Sequence, residues 1–225
     1  MEAKKGRREM KKFELTTEFI TNMFGKKLFR IKALVEFGNV KAGELGGYVE
    51  KEENVSQDGN AWVSGDARVY GDAEVSGDAR VSGNAEVSGN ARVSGNARVY
   101  GNAWVSGNAE VYGNAWVSGN AEVYGDAWVS GNAWVYGNAR VSGNARVSSD
   151  ADYALVQGFG TEFRCTTFYR GKNKKIMVNC GCFHGDLEGF RKQVKETRNG
   201  KIAKEYLMIA DLMEYHFTSE DSSNE

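Results

Sequence analysis

From Gly59 to Ser148 the chain repeats Gly-[Asn/Asp]-Ala-x-Val-[Ser/Tyr] without interruption. Valine recurs at 63, 69, 75 and every sixth position to 147, fifteen hexads over ninety residues. Six is not a helical period. Within each hexad alanine and valine alternate with polar positions, as in Ala67 and Val69, which is the period of a strand. A glycine before Asn or Asp opens each hexad, and both residue types tolerate left-handed backbone angles, so a tight corner is expected there. Short strands joined by corners at a fixed period predict a β-solenoid.

Three hexads per coil give a triangular prism of about five coils, roughly 24 Å tall at the strand spacing of ~4.8 Å. Val and Ala point inward; the x and Ser/Tyr positions point outward. The alternation of an aliphatic residue with a small one four positions on, as in Val75-Ser76-Gly77-Asp78-Ala79, resembles the left-handed hexapeptide β-helix. The left hand is what that resemblance implies.

Both prism ends would expose strand edges and apolar core, so both need covers. The flanks supply candidates. Residues 1–12 read as a basic tail, with Lys4, Lys5, Arg7, Arg8, Lys11 and Lys12. Residues 13–58 read as an N-terminal cap, with a strand at Leu28-Phe29-Arg30-Ile31. The solenoid is placed at 59–152. Tyr153 then takes a valine register position, and Ala154-Leu155-Val156 closes the end.

Residues 153–218 form a predicted ββαα unit. Its hairpin runs through Thr161–Arg170 and Ile176–Phe183 around Gly171-Lys172-Asn173. Asp186 caps a helix presenting Leu187, Phe190 and Val194, which Asn199-Gly200 ends. A second helix from about Lys201 to Phe217 carries Ile202, Tyr206, Ile209, Met213 and Phe217 on one face. Residues 219–225 read as a frayed tail. The architecture is thus mainly β, with a cap at each end.

Adding eighteen residues sorts the outward positions into columns. One holds Trp62, Arg80, Arg98, Trp116 and Trp134, flanked by Tyr100 and Tyr136, and contains no acid. The others read Arg68, Glu86, Trp104, Glu122, Arg140 and Glu74, Arg92, Glu110, Trp128, Arg146. Those two interleave signs, as cross-strand pairing favours. The first is basic and aromatic, the composition of an interface anchor. A subunit interface (dimer or trimer), a surface for a foreign macromolecule, or a ladder without partner are the three readings. Asn96, Asn114 and Asn132 read as a corner ladder satisfying backbone groups.

The formal net charge of -1 argues against a general polyanion binder, so nucleic acid is not favoured as a partner. No apolar run is long enough to cross a bilayer, and no secretory segment is visible, so a cytoplasmic location is expected. Three cysteines do not make a disulfide framework. Cys180, Cys182 and His184 alternate along an expected strand, with Cys165 on its partner. Together they could hold zinc, although buried cysteines in a hairpin are the better reading and no metal or cofactor is expected. The absence of threonine from the prism excludes an ice-binding ladder.

Many proteins of the hexapeptide family are acyltransferases with a histidine base near a cleft between subunits. Here both histidines, His184 and His216, fall outside the prism, and no loop interrupts the hexads. An enzyme is therefore not expected. Outside the hexads, Leu45-Gly46-Gly47-Tyr48-Val49-Glu50 with Glu52-Glu53-Asn54, and Cys180-Gly181-Cys182-Phe183 with Glu205-Tyr206, resemble uncharacterised bacteriophage and prophage proteins. That resemblance implies a partner in the host or virion. The expectation is a non-enzymatic binding protein, such as an inhibitor of a host defence machine of the CRISPR-effector kind. The alternatives are a phage structural or assembly component, and a hexapeptide-type acyltransferase.

Overall fold

The computed structural model describes residues 11–218. Residues 1–10 and 219–225, most of the two expected tails, lie outside the described residues. The chain opens with β1 (Phe13–Thr21), β2 (Lys27–Ala33) and β3 (Leu45–Val49), continues through fifteen two-residue strands from β4 (Trp62–Val63) to β18 (Arg146–Val147), and ends with β19 (Tyr153–Phe159), β20 (Arg164–Arg170), β21 (Ile176–Cys180), β22 (Phe183–Asp186), α1 (Leu187–Thr197) and α2 (Gly200–Thr218).

Each short strand pairs in parallel with the one eighteen residues on, as Arg98 with Trp116 and Val99 with Val117. Three sheets result, one per prism face. The repeat valines from Val63 to Val147 and the alanines between them are buried in one continuous core. At each repeat corner the glycine has φ between 60° and 76°. A Cβ on Gly95 would also sit 3.0 Å from the Gly113 backbone nitrogen, so the corner columns stack too closely for any side chain.

The solenoid is longer than the hexads alone indicate, about six turns rather than five. The extra turn lies in the expected cap. β3 pairs in parallel with the strand Arg68–Val69, placing Val49 beside Val69, and Val55 bridges Val75. Both offsets are twenty residues instead of eighteen, which hides the turn from the repeat. β1 and β2 then extend the same sheet antiparallel beyond β3.

Side chains take over where a neighbouring coil is missing. Within the stack an outward residue donates its N–H to the alanine carbonyl of the next coil, as Arg80 does to Ala97. At the N-terminal end the Ala61 and Gly59 carbonyls accept from Lys12 Nζ at 3.0 and 3.3 Å. Asn54 Nδ2 donates to the Gly71 and Ala73 carbonyls. At the other end Asp150 accepts from the Trp134 N–H, and Thr167 Oγ1 from the Arg140 N–H. Lys11 pairs with Glu52 and Lys12 is only 4% exposed, so these two residues belong to the cap and not to a tail.

The C-terminal unit has four strands, ordered β19-β20-β21-β22, and not two. The segment expected merely to close the prism pairs with β20, and the strand expected from Ile176 to Phe183 breaks at Gly181 and Cys182, so that His184 lies on a separate strand, β22. Alternation splits the sheet: Phe168 and Val178 pack on Leu187, Phe190, Val194, Ile209, Met213 and Phe217 of the helices. Tyr169 joins the solenoid core from the opposite side. The Asp186 side chain accepts from the Gly189 N–H and caps α1 as its position predicts. Among the described residues no helix is long and apolar enough to cross a membrane.

Candidate macromolecular contact face

The expected basic and aromatic column forms one prism face, in the order Trp134, Trp116, Arg98, Arg80, Trp62. Trp62 does not belong to the exposed surface. It is 2% exposed, with Phe13 and Phe37 rings 6.3 and 5.4 Å away, because the N-terminal segment folds back over this end. Its role is to anchor the cap. The other six residues, Arg80, Arg98, Tyr100, Trp116, Trp134 and Tyr136, share the face.

Above the cap the rings form a continuous file. Tyr100 and Trp116 lie 6.2 Å apart, Trp116 and Trp134 5.6 Å, Trp134 and Tyr136 5.4 Å, and Tyr136 and Tyr153 6.3 Å. Most of these pairs meet edge-on, the arrangement that the ring quadrupole favours. Trp134 donates Nε1–H to Ser118 Oγ at 2.9 Å, which fixes the indole, and yet 42% of the residue stays exposed, with Tyr136 at 51%. The Tyr153 hydroxyl donates to the Trp134 carbonyl, and burial pushes its phenol up, so it remains protonated. The Arg98 guanidinium lies 5.1 Å from the Trp116 ring centre.

The two other faces are built differently. Arg140 reaches Glu122 at 3.2 Å, Tyr70 donates to Glu86, and Arg146 stacks 4.0 Å over Trp128. Their cations and anions share columns, in keeping with a structural role. Burial, reinforced by the Glu86 hydrogen bond, pushes the Tyr70 phenol up to about 12.

The corner asparagines bond to one another instead of to the backbone. Asn84 donates to Asn102, Asn102 to Asn120 and Asn120 to Asn138, at 3.0–3.2 Å. The backbone at these corners is satisfied separately, by the Asn N–H donating to a glycine carbonyl of the next coil.

The candidate metal set is not assembled. Gly181 and Cys182 make the turn between β21 and β22, so Cys180 and Cys182 do not share a strand, and Cys182 is exposed. Cys165 donates to the Asn138 carbonyl, and burial pushes its thiol up. Cys180 accepts from Thr166. Among the described residues no group of three His, Cys, Asp or Glu side chains could hold a metal.

His184 joins a polar cluster at the junction between solenoid and C-terminal sheet. Its Nδ1 lies 2.6 Å from Asn179 Oδ1 and 3.4 Å from Ser142 Oγ. Asn179 Nδ2 donates to Ser142 Oγ and to the Arg140 carbonyl. Serine and asparagine address the same ring nitrogen, so the trio cannot relay a proton through the imidazole as a nucleophile, base and orienting group would. It is a junction network that the sequence did not reveal, because Ser142 looks like every other repeat serine. His216 packs edge-on to Phe217, 5.0 Å away.

Three short stretches, residues 85–101, 91–107 and 139–151, match the family model of the YdcK beta solenoid repeat. The likeness is to a repeat and carries the fold, since a fold alone does not assign a function. No curated protein matches the chain.

Proposed function

We propose that this protein is a non-enzymatic binding scaffold whose face without acids at its outward strand positions contacts a macromolecular partner. The observation that carries the reading is the contrast between faces. Two faces place carboxylates among their cations. The third presents two arginines and a file of partly exposed aromatic rings on a rigid parallel sheet. Tryptophan, tyrosine and arginine dominate interface energetics, the rings because they remove a large area from water at little conformational cost and arginine through its planar fork of donors. The resemblance to phage and prophage proteins directs the search for that partner to a bacterial host, with defence machinery first.

The test is affinity capture from host lysate, comparing the natural protein with a variant carrying Arg98→Ala, Trp116→Ala and Trp134→Ala, both first shown to have the same solution mass. A partner retained by the natural protein and lost by the variant supports the reading. Equal retention moves the contact off this face.

A further inference from the structure

At the N-terminal end of the contact face a groove of about 360 Å³ is lined by Asn39, Arg80, Ser82, Arg98, Tyr100 and Trp116. We propose that this groove is a carboxylate clamp, which takes two neighbouring acidic side chains of an extended segment of a partner protein. The proposal rests on the reading of this face as a contact surface and names the chemistry of its partner.

Arg80 and Arg98 occupy paired positions on adjacent coils, so their backbones are ~4.8 Å apart. Two cations at that spacing repel, and elsewhere on the prism such positions alternate with glutamate. Among the described residues no carboxylate lies within ion-pair distance of either guanidinium. Arg98 is nevertheless held in place, and Arg80 is flanked by the N-terminal segment. Arg98 lies against the Trp116 ring, and Arg80 Nη2 lies so close to Gly38 that a Cβ there would be 3.1 Å from it. Asn39, the next residue of that loop, and Ser82 add neutral hydrogen-bonding groups beside the guanidiniums.

A guanidinium offers a flat fork of donors matched to a carboxylate, and holding it in advance lowers the entropic cost of binding. The site has two cations and not a stripe. A nucleic-acid strand gains its affinity by neutralising many phosphates in succession, which this face and a chain of net charge -1 do not provide. Two forks beside partly exposed rings suit two carboxylates flanked by apolar side chains.

The probe is a fluorescein-labelled polyglutamate peptide, followed by anisotropy at low ionic strength, with an oligothymidylate of equal length as the competing class. Arg80→Gln with Arg98→Gln is expected to weaken peptide binding by about tenfold or more. Arg68→Gln with Arg92→Gln removes the same charge from the other two faces and is expected to leave it unchanged. Equal weakening by both pairs, tighter binding of the oligonucleotide, or no peptide binding at about 1 mM would overturn the clamp. The two levels fail separately. A partner captured from lysate that survives Arg80→Gln with Arg98→Gln but is lost with Trp116→Ala and Trp134→Ala refutes the clamp and leaves the face standing.

Discussion

Lys12 Nζ lies 3.0 Å from the Ala61 carbonyl oxygen, in the place where a preceding coil would present an N–H. The ammonium also reaches the Gly59 and Asp58 carbonyls at 3.3 and 3.4 Å. One side chain therefore substitutes for part of a coil. Lys12→Ala should strand these carbonyls and lower stability by about 1–3 kcal/mol, read as a shift in urea midpoint at pH 7.

The same contact has a pH signature. Burial, opposed by Asp58 and Asp78, lowers the Lys12 pKa to about 8 from its ordinary 10.5. Between those values the unfolded chain holds more protons than the folded one, so this group makes stability rise with pH across that window. Below pH 8 both states are protonated and the contribution is flat. The stability difference between natural protein and Lys12→Ala should therefore widen from pH 8 to about pH 10. A constant difference in urea melts over that range would contradict the assignment.

Much of the solenoid was legible because its signal repeats. The period placed every buried valine from Val63 to Val147, and it also placed Tyr153, which replaces valine in the core. The caps of α1 were legible for a local reason, since Asp186 and the Asn199-Gly200 break act on neighbouring residues. What escaped depends on distant contacts. Trp62 occupies an outward register position and is buried only because Phe13 and Phe37 return over it. Lys12 reads as one more cation in a basic run until Ala61 lies opposite. β22, Phe-His-Gly-Asp, has no apolar alternation, and its pairing with β21 supplies what its composition lacks. The six members of the candidate face other than Trp62 were legible as a column and its flanks, but the groove was not, because its Asn39 wall comes from outside the repeat.

The corner glycines are doubly constrained, and Gly95→Ala measures this. Its φ of 66° strains any L side chain, and the new Cβ meets the Gly113 backbone, which cannot move aside. A loss of about 2–4 kcal/mol is expected from thermal or urea melts. Asn at the same site relieves the backbone strain but not the contact, so it should recover only part of the loss.

In the asparagine ladder each amide donates to the next coil and accepts from the previous one. Asn102→Asp keeps the acceptor for Asn84 and loses the donor to Asn120, setting a carboxylate against an amide oxygen. A cost of about 1 kcal/mol is expected at pH 7. It should shrink below about pH 4, where the protonated acid can donate again. A pH-independent cost in paired melts would show that the ladder bond is not what was lost.

Asn179 ties the C-terminal sheet to the last coil through the Arg140 carbonyl and Ser142, and bonds His184 across its own sheet. Asn179→Ala should cost about 2–3 kcal/mol, since it leaves several partners unsatisfied at once. Hydrogen exchange should accelerate in β21 and around Ser142 and leave the central coils unchanged.

The eighteen-residue pairing offset makes the prism a screw thread on which the two caps are set at a fixed angle. Loss or gain of eighteen residues, easy to imagine among nearly identical hexads, would shorten or lengthen the rod and keep every column on its own face. Loss of six would turn the C-terminal unit a third of a revolution against the N-terminal cap and divide the candidate face between two sides. Length is thus free to vary in whole turns, while phase is not.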